Sequence, residues 1–185
     1  MNEILGSLVR IFPFIAILIG IKIGIGRQKI TTQELFIQPP PSKTKFILVL
    51  SGFLCYILIT EFFLFKFGLI ATSKWHHTLF PSIIRILGMV ILAPIAEESL
   101  FRGVLLNKLI SLKLNKHMTI IVLACFFVVV HSFAYEGTLS SKIGIAQTFI
   151  DASLYAYARF YTCSIYTPIT MHATGNLIAT LEKFI

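Results

Sequence analysis

"PSIIRILGMVILAPIAEESLFRGVLLNKLISL", residues 81–112, is an apolar run interrupted near its middle by Glu97, Glu98 and Arg102. A helix needs about 20 apolar residues to cross a hydrocarbon layer. The run is long enough, so its charges fall where charge is most expensive. The reading of this stretch decides two matters together. It makes the chain a membrane protein, and it marks a place where polar groups are retained at a cost.

The rest of the chain agrees with the first conclusion. Of 185 residues, 56% are hydrophobic and only 13% are charged, and the mean hydropathy is +0.86. Soluble domains carry about twice that charged fraction. Apolar periodicity predicts six membrane helices, near 8–26, 46–65, 82–107, 118–135, 143–159 and 164–184. The expected fold is an all-α polytopic membrane helix bundle of about six transmembrane helices. It forms one integral membrane domain over 1–185, with the polar motifs inside 82–185. No A-x-A site follows the first apolar run, so an uncleaved anchor is expected there and not a signal peptide. Residues 26–45 are the only long linker, and Pro39, Pro40 and Pro41 exclude a helix in it.

Net charge is +8, but the basic residues sit in short gaps between apolar runs. That pattern fits membrane topology and argues against nucleic acid as a partner. Arg27, Lys29, Lys43 and Lys45 fall in the first connection against Glu34 alone. Lys108, Lys113 and Lys116 fall in the third. Lys66 and Lys74 fall in the second, and Glu136 and Lys142 cancel in the fourth. The first and third connections are therefore expected on the cytoplasmic side of a cell membrane, with both termini outside. Cys55, Cys125 and Cys163 are widely spaced in apolar sequence, which suits small packing residues and not a disulfide framework.

Arg10, Glu61 and Arg85 each stand alone near a span end, where snorkelling or a structural pair accounts for them. Asp151 lies deep in the fifth span and is expected to make a buried structural hydrogen bond. Glu97, Glu98, Arg102, His131, His172 and Asn176 remain. Counted along their helices at 1.5 Å per residue, Glu97 and Glu98 lie roughly 15 Å from the cytoplasmic ends, His131 roughly 20 Å and His172 roughly 12 Å. Three helices thus bring acid–base groups to a similar depth.

Helical spacing assigns roles. Glu98 and Arg102 are i,i+4 and can pair, which lowers the cost of each. Glu97 is turned about 100° away and is free to face a cavity. Pro94 leaves the carbonyl of Val90 without its helical donor and is expected to kink the helix before the site. His172 and Asn176 are again i,i+4, with Gly175 between them allowing close helix approach. A free carboxylate with a histidine is a general-base pair for water. A second histidine with an amide can stabilise an oxyanion. The set suits hydrolysis of an amide. Glu97, His131 and His172 are also the candidate ligands for a zinc ion. A non-catalytic polar network remains the competing account of the same residues.

"EESLFR" fits EExxxR, "FVVVH" fits FxxxH and "HATGN" fits HxxxN, in that order along the chain. This resembles the CPBP (Abi) family of intramembrane proteases, which includes CAAX prenyl endopeptidases of the Ras-converting type and bacteriocin-immunity relatives. The resemblance implies that Glu97 and His131 activate water, that His172 and Asn176 stabilise the oxyanion, and that Glu98 and Arg102 support the first motif. It implies either a glutamate-dependent or a metallo-type endopeptidase. The expected substrate is a membrane-associated peptide or protein, such as a bacteriocin, a pheromone precursor or a CAAX-like chain. Two other functions fit the same residues. One is a membrane immunity factor that binds a bacteriocin or its receptor without catalysis, and the other is a small transporter or proton relay.

Overall fold

The computed structural model describes residues 3–70, 74–132 and 137–184. It is all-α as expected. The helices are α1 (Glu3–Gly26), α2 (Lys43–Lys66), α3 (Leu79–Ser111), α4 (Lys116–His131), α5 (Leu139–Thr162) and α6 (Tyr166–Leu181), and a 3-10 turn, Glu182–Phe184, follows. Local chemistry sets several starts. The side chains of Ser42, Asn115 and Thr138 accept the N–H groups of Lys45, Met118 and Ser141, which would otherwise lack partners.

Three helices, α1, α2 and α3, are long and apolar enough to cross a membrane by length and composition. Their surfaces show why lipid must be the solvent. Only 6% of the apolar window of α1 and 11% of that of α2 is buried inside the bundle. Phe12, Leu48, Phe62 and Leu79 are all exposed, and such area is favourable only against hydrocarbon. The predicted spans differ from the helices mainly at their ends. α3 and α5 are longer than expected. α4 stops at His131 and not at 135, so this histidine closes its helix instead of lying inside it. Lys43, Lys45, Lys66, Lys108, Lys116 and Lys142 lie at the ends of helices and not in connections. Glu136 lies outside the described residues.

Two buried clusters hold the bundle. Phe101, Leu106, Leu123 and Phe127 pack α3 against α4 and, through Ala152 and Ala156, against α5. Phe53, Ile57, Tyr155 and Met171 join α2, α5 and α6. A side chain at Gly175 would place its Cβ 3.3 Å from Ile57 and 3.5 Å from the Tyr155 hydroxyl, so glycine permits the α2–α6 approach. The lone charges near span ends behave as structural or solvated groups. Arg85 donates to Ser7 on α1, Glu61 accepts from Gln147, and Arg10 is exposed. The three cysteines are free and exposed, a correction to their expected place in packed interiors.

The linker contains no helix, but it is not a solvated tether. Thr31 and Glu34 cap one another in a reciprocal box, with Glu34 accepting the Thr31 N–H at 2.7 Å. That backbone bond and the Thr31 hydroxyl hold the Glu34 carboxyl below its ordinary pKa. Leu35 is fully buried beside Gly103, where an added Cβ would meet it at 2.8 Å. Asn107 donates to the Glu34 carbonyl, Ile165 N–H to that of Phe36 and Ser164 Oγ to that of Gln38. The segment is a strap across the basic end of the bundle.

Candidate active site

The six polar residues singled out in the sequence converge between the two core clusters. α3 contributes the carboxylates, and its backbone departs from regular α geometry on both sides of them. Gly88–Leu92 and Ser99–Leu105 are π-helical, flanking Ala93–Glu98. Such insertions often accompany functional sites. The first one follows from Pro94. The Ala93 N–H bonds to the carbonyl of Gly88. The Met89 carbonyl would then need the N–H of residue 94, which proline lacks. Asn176 of α6 supplies the missing donor, its Nδ2 lying 2.8 Å from that carbonyl. The expected disturbance at Pro94 is present, but it takes the form of a π segment with an inter-helix bond.

Glu98 and Arg102 are both fully buried, with Nη1 3.0 Å from Oε1. Arg102 also donates to the Ala152 carbonyl at 2.6 Å, and its guanidinium lies 4.9 Å from the ring centre of Phe127 and 5.4 Å from that of Tyr155. This surrounding neutralises the cation where water cannot. The same Oε1 of Glu98 takes His172 Nδ1 at 2.9 Å. Glu98 therefore links α3 to α6 and, through Arg102, to α5.

Glu97 is placed differently. It is buried, yet its Oε2 has no hydrogen-bond partner. Two ring nitrogens approach that oxygen, His131 Nε2 at 3.5 Å and His172 Nε2 at 3.9 Å. Each imidazole is fixed at its other end. His131 Nδ1 lies 2.8 Å from the Phe127 carbonyl, which can only accept, so this nitrogen carries a hydrogen. Glu98 Oε1, which also accepts from Arg102, gives His172 the same orientation through its Nδ1. In each ring Nε2 is therefore the nitrogen turned towards Glu97. Ring packing holds these directions: Phe127 stacks on His131 at 4.1 Å and Tyr155 on His172 at 5.1 Å.

These groups line a cavity of about 300 Å³ whose apolar wall includes Phe14 of α1, Met89 and Ala93. Thr148, Asp151 and Tyr155 of α5 also line it. The Tyr56 hydroxyl is a polar neighbour of Asp151, but the buried Oδ1 has no hydrogen-bond partner, so the expected structural bond is not made at that oxygen. Asp151 also faces the cavity, which the sequence reading missed. The available signal was the 148–151–155 spacing, one polar face of a helix.

A family model described as type II CAAX prenyl endopeptidase Rce1-like matches residues 78–178. The chain belongs to this family. The matched segment begins one residue before α3 and ends two residues after Asn176, so it contains all six polar residues, whereas α1, α2 and the strap lie outside it. No curated protein and no solved structure matches the chain. Membership in a family of endopeptidases implies a peptide substrate.

The donor chemistry at Glu97 invites a test for metal. Two imidazoles and a carboxylate are suitable zinc donors, and the anchored Nδ1 atoms are the support such ligands use. Among the described residues, however, no group of three His, Cys, Asp or Glu side chains is arranged to hold a metal ion. The residues as placed do not fit one, and the chemistry below uses the side chains alone.

Proposed function

We propose that the chain is an intramembrane endopeptidase in which Glu97 removes a proton from water. The observation that carries this reading is the buried Glu97 Oε2, which makes no hydrogen bond and faces two oriented histidines. Glu98 also leaves its Oε2 unpartnered, but its Oε1 is held by Arg102 and His172, so that carboxylate is tied into the network in a way the Glu97 Oε2 is not. Water held between Glu97 and His131 gives its proton to Glu97 and attacks the scissile carbonyl carbon. Asn176 has a second amide N–H to offer the resulting oxyanion, since only one is taken by Met89. His172, held at Nδ1 by Glu98, donates from Nε2 when that nitrogen carries a proton. Glu97 then passes the proton to the amide nitrogen as the C–N bond breaks, leaving a carboxylic acid and an amine.

The substrate is a membrane-associated peptide or protein of the kind named above: bacteriocin, pheromone precursor or CAAX-like chain. The whole of 1–185 serves as one membrane domain, with the working part at 82–185. The first connection, which forms the strap, and the third lie on the cytoplasmic side. The test is proteolysis of a membrane peptide library by purified protein. Glu97→Gln, His131→Ala and His172→Ala should each lower turnover by at least about 10³-fold while the protein still inserts and accumulates. Glu97→Gln with full activity would overturn the assignment. A variant that has lost proteolysis but still protects cells against a bacteriocin would favour the non-catalytic immunity factor.

A further inference from the structure

A second cavity, of about 280 Å³, lies between α2, α5 and α6. Thr148, Asp151, Tyr155 and Asn176 line both this space and the cavity at Glu97, so the two meet at one polar junction. Its walls are polar in a bundle that is otherwise apolar. Tyr56, Thr60 and Glu61 come from α2 and Gln147 from α5. Gln147 donates to Glu61 at 3.0 Å, and Tyr56 and Asp151 face the same space. The buried Oδ1 of Asp151 has no hydrogen-bond partner in the protein.

Such groups are costly in hydrocarbon unless water satisfies them. The volume is enough for several water molecules, and the walls offer each of them multiple partners. The other half of the same α2–α5 seam provides a contrast. There a groove of about 500 Å³ is lined by Val49, Phe53, Leu154 and Met171, and the lining changes character at Tyr56, which borders both spaces. The polar half lies towards the carboxyl ends of α2 and α6 and the amino end of α5. That is the end of the bundle opposite Lys43, Lys108, Lys113 and Lys116.

We propose that this polar cavity is the route by which water reaches Glu97, entering from the face opposite the basic connections, with Asp151 as a positioning residue at its inner mouth. The proposal rests on the hydrolytic reading of Glu97. Each turnover consumes one water, so a site within an apolar bundle needs a polar path to replace it. Asp151 holds water at the junction through its unpartnered oxygen and does not touch the scissile bond.

The test uses the full chain with Cys55, Cys125 and Cys163 changed to serine. Single cysteines are placed at Thr60 or Ile178 in the polar cavity, or at Val49 in the apolar half of the seam. Sealed membrane vesicles of both orientations are treated with a charged, membrane-impermeant thiosulfonate. Thiolates form and react only where water reaches them, so Thr60→Cys and Ile178→Cys should react at least about tenfold faster than Val49→Cys. The reaction should occur only from the face opposite the basic connections. Modified Thr60→Cys protein should lose at least about tenfold in kcat with KM little changed. Asp151→Leu should behave in the same way, with Asp151→Asn restoring most of the rate. Labelling no faster than at Val49, labelling only from the basic face, or full kcat after complete modification of Thr60→Cys would each overturn the route. Should Thr60→Cys fail to accumulate, the rate and sidedness at Ile178→Cys decide. The labelling arm is repeated in Glu97→Gln protein. It does not depend on turnover, so an error in the role of Glu97 is distinguishable from an error in the route.

Discussion

Exchanging each of the adjacent glutamates for glutamine separates their roles by stability alone. Glu98 is fully buried, and its Oε1 accepts from both Arg102 and His172. Glu98→Gln leaves an acceptor but removes the charge opposite Arg102. Breaking a buried pair from one side typically costs about 3–5 kcal/mol. The lower end applies here, about 3 kcal/mol, because Arg102 keeps the Ala152 carbonyl and its aromatic neighbours. For a chain of this size that is a fall in melting temperature of roughly 6–12 °C. Glu97→Gln removes a carboxylate whose Oε2 makes no hydrogen bond, so the change should stay within about 1 kcal/mol, roughly 2–4 °C in either direction. Thermal melting of the purified variants in one detergent measures both. The double variant Glu98→Gln/Arg102→Met completes the cycle and should recover at least half of the loss, because no unpaired charge remains. Equal melting temperatures for the two single variants, or a double variant worse than Glu98→Gln, would refute the division of labour between the glutamates.

Asn176→Ala removes the donor to the Met89 carbonyl and, with it, the proposed oxyanion donor. It should destabilise by about 1–3 kcal/mol and lower kcat by about 10²–10³, read from melting curves and steady-state proteolysis. Leu35→Ala empties the buried point of the strap and should cost about 2–5 kcal/mol, with faster tryptic cleavage at Arg27 and Lys29 in detergent. Activity should survive chelation, because the residues at Glu97 are not arranged for a metal. Stoichiometric zinc in active protein, with activity lost to a chelator and restored by zinc, would replace the glutamate scheme by a metal one.

The parts of this site that were legible in the sequence are those confined to one helix. The i,i+4 rule found Glu98 with Arg102, and the 100° step placed Glu97 on another face; both hold in three dimensions. Pro94 announced a local backbone problem, because a missing N–H is visible in one letter. Fold class was legible because lipid demands long apolar runs. Helix ends were less so. α4 stops at His131, although the apolar run before it shows no reason to stop there.

What stayed hidden lies between helices. No spacing rule relates His172 to Glu98, 74 positions apart, or Asn176 to Met89, 87 positions apart. These two bonds give the separate motifs one physical basis. His172 is oriented by the carboxylate that holds Arg102. Asn176 is anchored by the carbonyl that the proline leaves without a donor. The first and third motifs are therefore mutually dependent: α6 needs the irregular backbone of α3 for its amide, and α3 needs α6 to satisfy that backbone. The bond to Glu98 also holds His172 Nε2 3.9 Å from Glu97 Oε2, beyond hydrogen-bond distance. This separation is what the proposed role of Glu97 as the base requires, because a carboxylate oxygen free of direct hydrogen bonds keeps an acceptor site for a water proton.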